Sequence, residues 1–319
     1  MIRLATRTVH LAFAALALGI FAAPAHATFS IVACDATRSC GAAVATNNLA
    51  AGASVIDARA GVGALASQFE TNPGHAAVAF RQLQLGQDAR DVLAAILSAD
   101  GDFDGQDLSY RQVGLVAAKG AGVVHTGARA LAAGWAGALT GEGFSIQGNG
   151  LAGERVVTAM RDAFLASGGP LAERLMAALE AGEAAGGQAN GRLSAALLVR
   201  TTEGGWQDVD LRVDASATPL GDLRKLLGMR RANDALVRAE RAWRHGDKVG
   251  AGQQLAQAAA LAPAWDRVWR RISRLRLKMG ESAQAKAAFA AFADLNPAWA
   301  GIEREDPFYG PIVESKTDR

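Results

Sequence analysis

The order of elements readable between residues 28 and 213 constrains the fold more than any other feature of the chain. Strands come first, then a helix pair, strands again, a second helix pair and a last strand pair. Residues 28–33 and 41–46 are short runs rich in Val, Ile and Ala, and a third strand is expected over 58–68. Thr71-Asn72-Pro73-Gly74 marks a turn and a helix start. Apolar residues then recur at helical spacing at Val78, Leu83, Leu85, Val92, Leu93, Ile96 and Leu97, with Gly86 and Asp88 dividing two helices. Strands return at 112–117 and 123–126 around Lys119-Gly120-Ala121-Gly122, and another is expected over 143–147. Helices are expected over 154–166 and 170–181, with Pro170 suited to a first helical turn, and a closing hairpin over 193–200 and 207–213. A parallel βαβ sheet would need strands and helices to alternate one by one. Helix pairs set between antiparallel strand groups instead fit an α+β fold, two sheets sandwiched between helical layers.

Ahead of the first strand stand Arg3, Arg7, the apolar run from Leu11 to Ala23, Pro24, and Ala25-His26-Ala27. A bilayer-spanning helix needs about 20 apolar residues. This run is shorter and ends in an A-x-A cleavage pattern, so residues 1–27 read as a signal peptide and the mature protein as periplasmic or secreted. No later apolar run is long enough to span, and no transmembrane anchor is expected after signal removal. The formal charge of +2 includes the two signal arginines and falls to about zero without them. With no basic stripe, no nucleic-acid partner is expected. Cleavage after Ala27 would leave Thr28 first, with a hydroxyl and a free α-amine on one residue. N-terminal-threonine hydrolases use that pair as nucleophile and base. The alternative is that Thr28 simply starts a strand.

Cys34 and Cys40 are the only cysteines and flank a turn-like stretch, Asp35 to Ser39. In an oxidising compartment they can form a cross-strand disulfide; two small buried thiols are the other reading. The mature histidines His75, His125 and His245 are far apart in sequence, and neither a metal nor a cofactor is expected. Gly148-Asn149-Gly150-Leu151-Ala152-Gly153 spells G-x-G-x-x-G, but the strand that should follow a dinucleotide site is replaced by the helix from Pro170. The glycines fit a tight strand-to-helix crossover better. Gly61 and Gly63 in the third strand signal close packing. Arg59 precedes them, and a cation near Thr28 would lower the pKa of its hydroxyl and amine; an ordinary surface arginine is the alternative. Asn149 and Gln147 are candidate oxyanion donors or, equally, partners for loop backbone.

From about Leu220 the composition turns helical, and a 34-residue repeat can be read directly. Gly246 recurs as Gly280, Ala251 as Ala285, Leu255 as Phe289, Leu261 as Leu295, Pro263 as Pro297 and Trp265 as Trp299. That period, with small residues at fixed positions and a closing Pro, is tetratricopeptide-like over residues 228–300, with a tail over 301–319. Arg270, Arg271, Arg274 and Arg276 form a basic run that reads as a solvated helix face.

Thr-Phe-Ser-Ile-Val-Ala at 28–33, Ala-Arg-Ala-Gly-Val-Gly-Ala at 58–64, Thr-Asn-Pro at 71–73 and Arg-Gln-Val-Gly at 111–114 resemble the bacterial DUF1028 family. So do Gln-Gly-Asn-Gly-Leu-Ala-Gly at 147–153, Ser-Ala-Ala-Leu at 194–197 and Asp-Leu-Arg-Val-Asp at 210–214. The resemblance covers residues 28–227. It implies an N-terminal-nucleophile hydrolase-like domain, a four-layer αββα sandwich, in a family without an assigned function. The chain departs from the family at polar positions: Gln188, Asn190 and Leu193 stand where relatives tend to carry Asp, Arg and Gln. Ala215-Ser216 replaces a frequent Asp-His, and His75 replaces a Tyr. Two functions follow as expectations. One is an exported amidohydrolase acting on a small amide or peptide, with Thr28, Arg59 and Asn149 as catalytic residues. The other is a non-catalytic binding or scaffold protein that meets a protein partner through its helical repeats.

Overall fold

A computed structural model describes residues 27–313, so the expected signal segment lies outside the described residues apart from Ala27. Strands β1 (Thr28–Cys34) and β2 (Cys40–Thr46) open a sheet, and β3 (Ile56–Arg59), β4 (Gly63–Phe69), β5 (Arg111–Ala117) and β6 (Val123–Thr126) build a second one. The chain then returns to the first sheet with β7 (Trp135–Gly141), β8 (Phe144–Leu151), β9 (Ser194–Arg200) and β10 (Val209–Val213). The six-stranded sheet runs β10-β9-β2-β1-β8-β7 and the four-stranded one β3-β4-β5-β6, with every neighbouring pair antiparallel. The mixed α/β architecture with two antiparallel sheets is thus the observed one. Cys34 and Cys40 face each other across the first hairpin and are disulfide-bonded, which decides between the two readings of the cysteines.

Helices α1 (Gly74–Gln84) and α2 (Ala89–Ser98) follow β4, and the short α3 (Ala128–Ala132) follows β6. Helices α4 (Arg155–Ala166) and α5 (Leu171–Ala184) lie between β8 and β9. Side chains on a strand alternate between faces, and β1 is buried along its whole length. Its odd positions Phe29, Ile31 and Ala33 join Val156, Met160, Leu175 and Leu179 of α4 and α5 in one core. Its even positions Val32 and Cys34 join Ala64 and Ala66 of β4 and Val116 of β5 in a core between the sheets. The outer face of the smaller sheet, with Leu65, Val113 and Leu115, is covered by Phe80, Val92 and Ile96 of α1 and α2. Thr28 and Ser30 share the even parity. They therefore face the space between the sheets, where the apolar core gives way to buried polar side chains.

Two local expectations are corrected. The strand expected over 58–68 is a hairpin, because Gly61 takes a left-handed φ of 71° and reverses the chain. Gly63 keeps the close-packing role, since a Cβ there would lie 2.4 Å from the carbonyl oxygen of Val116. The G-x-G part of the glycine motif lies inside β8 rather than at a helix start. Strand β7 and helix α3 had no expectation; β7 is half-exposed, with no alternation to betray it.

The C-terminal region comprises α6 (Pro219–Arg244), α7 (Lys248–Leu261), α8 (Asp266–Lys278), α9 (Ser282–Leu295) and α10 (Pro297–Arg304). Helix α6 is unbroken across the boundary expected at 227/228. Leu220, Leu223 and Leu227 pack in the core against the larger sheet, while Ala232, Ala235, Leu236 and Ala239 pack against α7 and α8. Gly246 and Gly280, 34 residues apart, both turn with left-handed φ, 82° and 79°. The basic run on α8 is not a solvated face. Arg271 bonds Asn233 and Glu240 on α6, Arg270 and Arg274 bond Glu303 on α10, and Arg276 pairs with Glu281. Among the described residues, no helix is long and apolar enough to cross a membrane.

Candidate active site at the start of the first strand

Thr28 is the first residue of β1 and only 2 % exposed. Sheet register puts Thr46 of β2 on one side of it and Asn149 of β8 on the other. Its Oγ lies 3.1 Å from the Oγ of Thr46, which donates to the Ala27 carbonyl oxygen at 2.9 Å and accepts from the Asn48 backbone N–H at 3.2 Å. Gly150, with φ 59°, makes room for the residue before Thr28: a Cβ there would lie 2.6 Å from the Cβ of Ala27. That close approach is what the glycine of the motif provides.

A chain of hydrogen bonds runs inward from Thr28, and backbone carbonyls fix its direction because a carbonyl oxygen only accepts. Gln112 Nε2 donates to the carbonyl of Gly148 at 3.1 Å, so Gln112 Oε1 must face the other way. There it accepts from Gln68 Nε2 at 2.8 Å and from Asn149 Nδ2 at 2.9 Å. Gln68 Nε2 also reaches the carbonyl of Thr28 at 3.4 Å, which leaves Gln68 Oε1 to accept from Ser30 Oγ at 2.6 Å. Ser30 in turn accepts from Gln147 Nε2 at 2.7 Å, and Gln147 Oε1 accepts from Ser145 Oγ at 3.0 Å. Every member is a neutral amide or hydroxyl. One atom at Thr28's strand partner is left over: Asn149 Oδ1, a buried acceptor without a donor.

This network takes in two expected site residues. One N–H of the Asn149 amide is donated to Gln112, and Asn149 Oδ1 is an acceptor without a donor. Gln147 has both ends of its amide engaged. Arg59 is not brought to Thr28 at all. It pairs with Gly63, at the end of β4 away from Gln68, and its guanidinium lies 4.7 Å from the Phe80 ring centre. Neighbouring Gly61 bonds Arg38 in the β1–β2 turn, so Arg59 sits at the opposite end of β1 from Thr28, roughly 20 Å away at 3.3 Å per strand residue.

Sequence reasoning missed Thr46, Ser30, Gln68 and Gln112. The legible signal was a polar residue at an even position of otherwise Ala- and Val-rich strands. Gln188 is a further buried residue, with both polar atoms unpaired. It bridges to Leu151, and the Leu193 N–H bonds the carbonyl of Thr46. Residues 188–193 thus pass from the end of β8 to the end of β2, across the start of β1.

A second polar cluster lies on the other face of the smaller sheet. Ser67 Oγ is 3.0 Å from His75 Nδ1, His75 Nε2 is 2.8 Å from Asp100 Oδ1, and Arg111 Nε donates to the same oxygen at 2.9 Å. The carboxylate of Asp100 only accepts, so Nε2 carries the imidazole proton and Ser67 donates to Nδ1. Burial lowers the His75 pKa, outweighing the opposing pull of Asp100. Burial would raise that of Asp100, but hydrogen bonds from Arg111, Asn72 and His75 hold it below the usual carboxylate value. Ser67 is buried and also accepts from the Asn72 N–H, so this Ser-His-Asp series braces α1 against β4. Among the described residues, no group of three or more His, Cys, Asp or Glu is placed to hold a metal ion.

The model of a family of unknown function, DUF1028, matches residues 28–223. The crystal structure of protein SPO2555 from Silicibacter pomeroyi, itself assigned to that family model, is 32 % identical to the chain. Its superposition has a TM-score of 0.55 and covers 63 % of this chain and 88 % of that one. No curated protein matches.

Proposed function

The chain belongs to the DUF1028 family, and we propose that it is an exported N-terminal-threonine amidohydrolase acting on a small amide or peptide. The observation that carries this reading is the setting of Thr28. Its hydroxyl is buried between two sheets at the start of β1, hydrogen-bonded to Thr46 and opposite an uncommitted acceptor on Asn149. Packing supports it too: helices pack outside each of two antiparallel sheets that share a core, an arrangement compatible with an N-terminal-nucleophile hydrolase-like αββα sandwich. Export is supported by the leader with its A-x-A end and by the Cys34–Cys40 disulfide.

In the chain beginning at Thr28, the α-amine, with an ordinary pKa of about 7.7–8.0, takes the proton from Oγ. Oγ forms a bond to the substrate carbonyl carbon, whose π electrons move onto oxygen. When the tetrahedral species collapses, the C–N bond breaks and the leaving amine takes the proton back from the α-ammonium. Water then cleaves the ester with the amine again as base. Asn149 Oδ1 accepts from the ammonium and orients it. No cation is required in this arrangement, and Arg59 has no part in it.

Mass-spectrometric reading of the secreted N-terminus tests the first requirement, a mature chain starting at Thr28. Thr28→Ala is then expected to abolish hydrolysis across an amide library while leaving the unfolding midpoint nearly unchanged. Undiminished turnover would remove Thr28 from the mechanism.

One observation favours a second reading, a non-catalytic binding or scaffold protein. The family match ends inside α6, and the helices beyond it form separate cores with the 34-residue, tetratricopeptide-like pattern. On that reading, the Thr28→Ala chain captures the same protein partner as the wild type and supports the same cellular phenotype.

A further inference from the structure

Thr46 has one hydroxyl hydrogen, and in the chain that still carries Ala27 it is spent on the carbonyl of the Ala27–Thr28 peptide bond, 2.9 Å away. The 3.1 Å contact between Thr46 and Thr28 must then be carried by the hydrogen of Thr28. The Asn48 N–H takes up further acceptor capacity on Thr46. While Ala27 is present, the hydroxyl of Thr28 is thus a donor pinned to Thr46, and Thr46 is pinned to the peptide carbonyl ahead of it.

Loss of Ala27 deletes the acceptor and nothing else in this set. The freed hydroxyl hydrogen of Thr46, whose side chain is buried while Ala27 is in place, is left in need of a new acceptor. A buried donor without an acceptor is costly, so it turns to the next electron-rich oxygen within reach. That oxygen belongs to Thr28 at rest and to the carbonyl being attacked during reaction. The position it served before cleavage was itself a carbonyl oxygen beside Thr28. We propose that Thr46 is a catalytic residue that donates its hydroxyl hydrogen to the oxyanion formed on the attacked carbonyl, and that the peptide preceding Thr28 holds this donor in reserve until cleavage. The inference rests on the N-terminal-threonine reading and adds a hydroxyl donor beside the attacked carbonyl. When Oγ bonds to carbon, negative charge appears on the carbonyl oxygen. A fixed donor there contributes most at that moment and little to initial binding.

The test uses the purified secreted chain and a β-lactone probe. Ring opening acylates Thr28: the ring C–O bond breaks, and the released alkoxide takes the proton lost by Oγ. Adduct formation at Thr28 is followed by mass spectrometry across probe concentrations. Thr46→Val is expected to lower the limiting acylation rate by about 10²–10³-fold with little change in the half-saturating concentration. Thr46→Ser, which keeps the hydroxyl, recovers most of the rate. A merely structural role would move both constants and would not separate Val from Ser. If Thr46→Val does not fold, Thr46→Ala removes the hydroxyl without the added methyl. Labelling of Thr46→Val or Thr46→Ala at the wild-type rate overturns this assignment while leaving Thr28 as nucleophile. Absence of label at Thr28 in the wild type overturns the parent reading and this one with it.

Discussion

The guanidinium of Arg111 closes on the carboxylate of Asp100, with Nε 2.9 Å from Oδ1 and the second amino group 3.3 Å from Oδ2, and both side chains are almost fully buried. The same guanidinium donates to the carbonyls of Phe103 and Gln106, each at 2.7 Å, and so ties the 100–111 segment to the start of β5. Removing one partner of a buried pair leaves the other charge stranded. Arg111→Met is therefore expected to cost about 3–5 kcal/mol, read from the urea unfolding midpoint. Arg111→Lys should recover only part of it, because an ammonium lacks the planar fork that serves two carbonyls and a carboxylate together.

Acid sensitivity should originate at His75. Its pKa in the fold is lowered from 6.5, so the folded chain holds it neutral where the unfolded chain is already protonated. The group's contribution is complete above pH 6.5 and is lost as pH falls from there through the folded value. Asp100, also lowered, acts only below its ordinary value of 3.8, so the two windows separate. Unfolding midpoints measured between pH 7.5 and 5.5 are expected to fall for the wild type and to stay flat for His75→Gln. An equal slope in the variant would place the sensitivity elsewhere.

Much of this fold was legible because its elements carry local signatures. The Val- and Ala-rich runs at 28–33 and 41–46 could only be strands, and the spacing of Val92, Leu93 and Ile96 could only bury one face of a helix. Thr28 was legible from the junction before it. What sequence could not give was register. Arg59 lies 31 residues from Thr28 on a strand that packs against β2, the neighbour of β1, but it lies by the turn at Gly61, at the end of the sheets remote from Thr28. Thr46 was visible only as the last residue of a strand; its place beside Thr28 follows from pairing across the Cys34–Cys40 hairpin. The arginines of α8 looked solvated because their acids, Glu240 and Glu303, are about 30 residues away in the chain.

The disulfide offers a control remote from the chemistry. It closes a short loop at the end of the β1–β2 hairpin opposite Thr28. Constraint of a loop that size is worth about 2 kcal/mol in the chain-entropy account. Cys34→Ala with Cys40→Ala is expected to lower stability by about that amount, measured by urea unfolding, without altering β-lactone labelling of Thr28. A labelling change would mean that the hairpin register itself had moved.

The last prediction concerns Gly114, on which the polar layer rests. A Cβ built there would lie 2.1 Å from Gln147 Oε1 and 2.5 Å from its Nε2, so the full amide of Gln147 lies against the backbone of β5. The end of a glutamine can usually swing aside at little cost. Here it cannot, because Nε2 is held by Ser30 and Oε1 by Ser145, both buried. Gly114→Ala should therefore cost about 1–3 kcal/mol as an overpacked site, and the displaced amide should unsettle Ser30 and, through Gln68, the carbonyl of Thr28. A double-mutant cycle with Gln147→Ala isolates the effect. If the methyl and the amide compete for one space, the double variant loses clearly less than the two singles added together. Additive losses would mean that β5 moves as a unit and that the amide chain does not hold Thr28 in place.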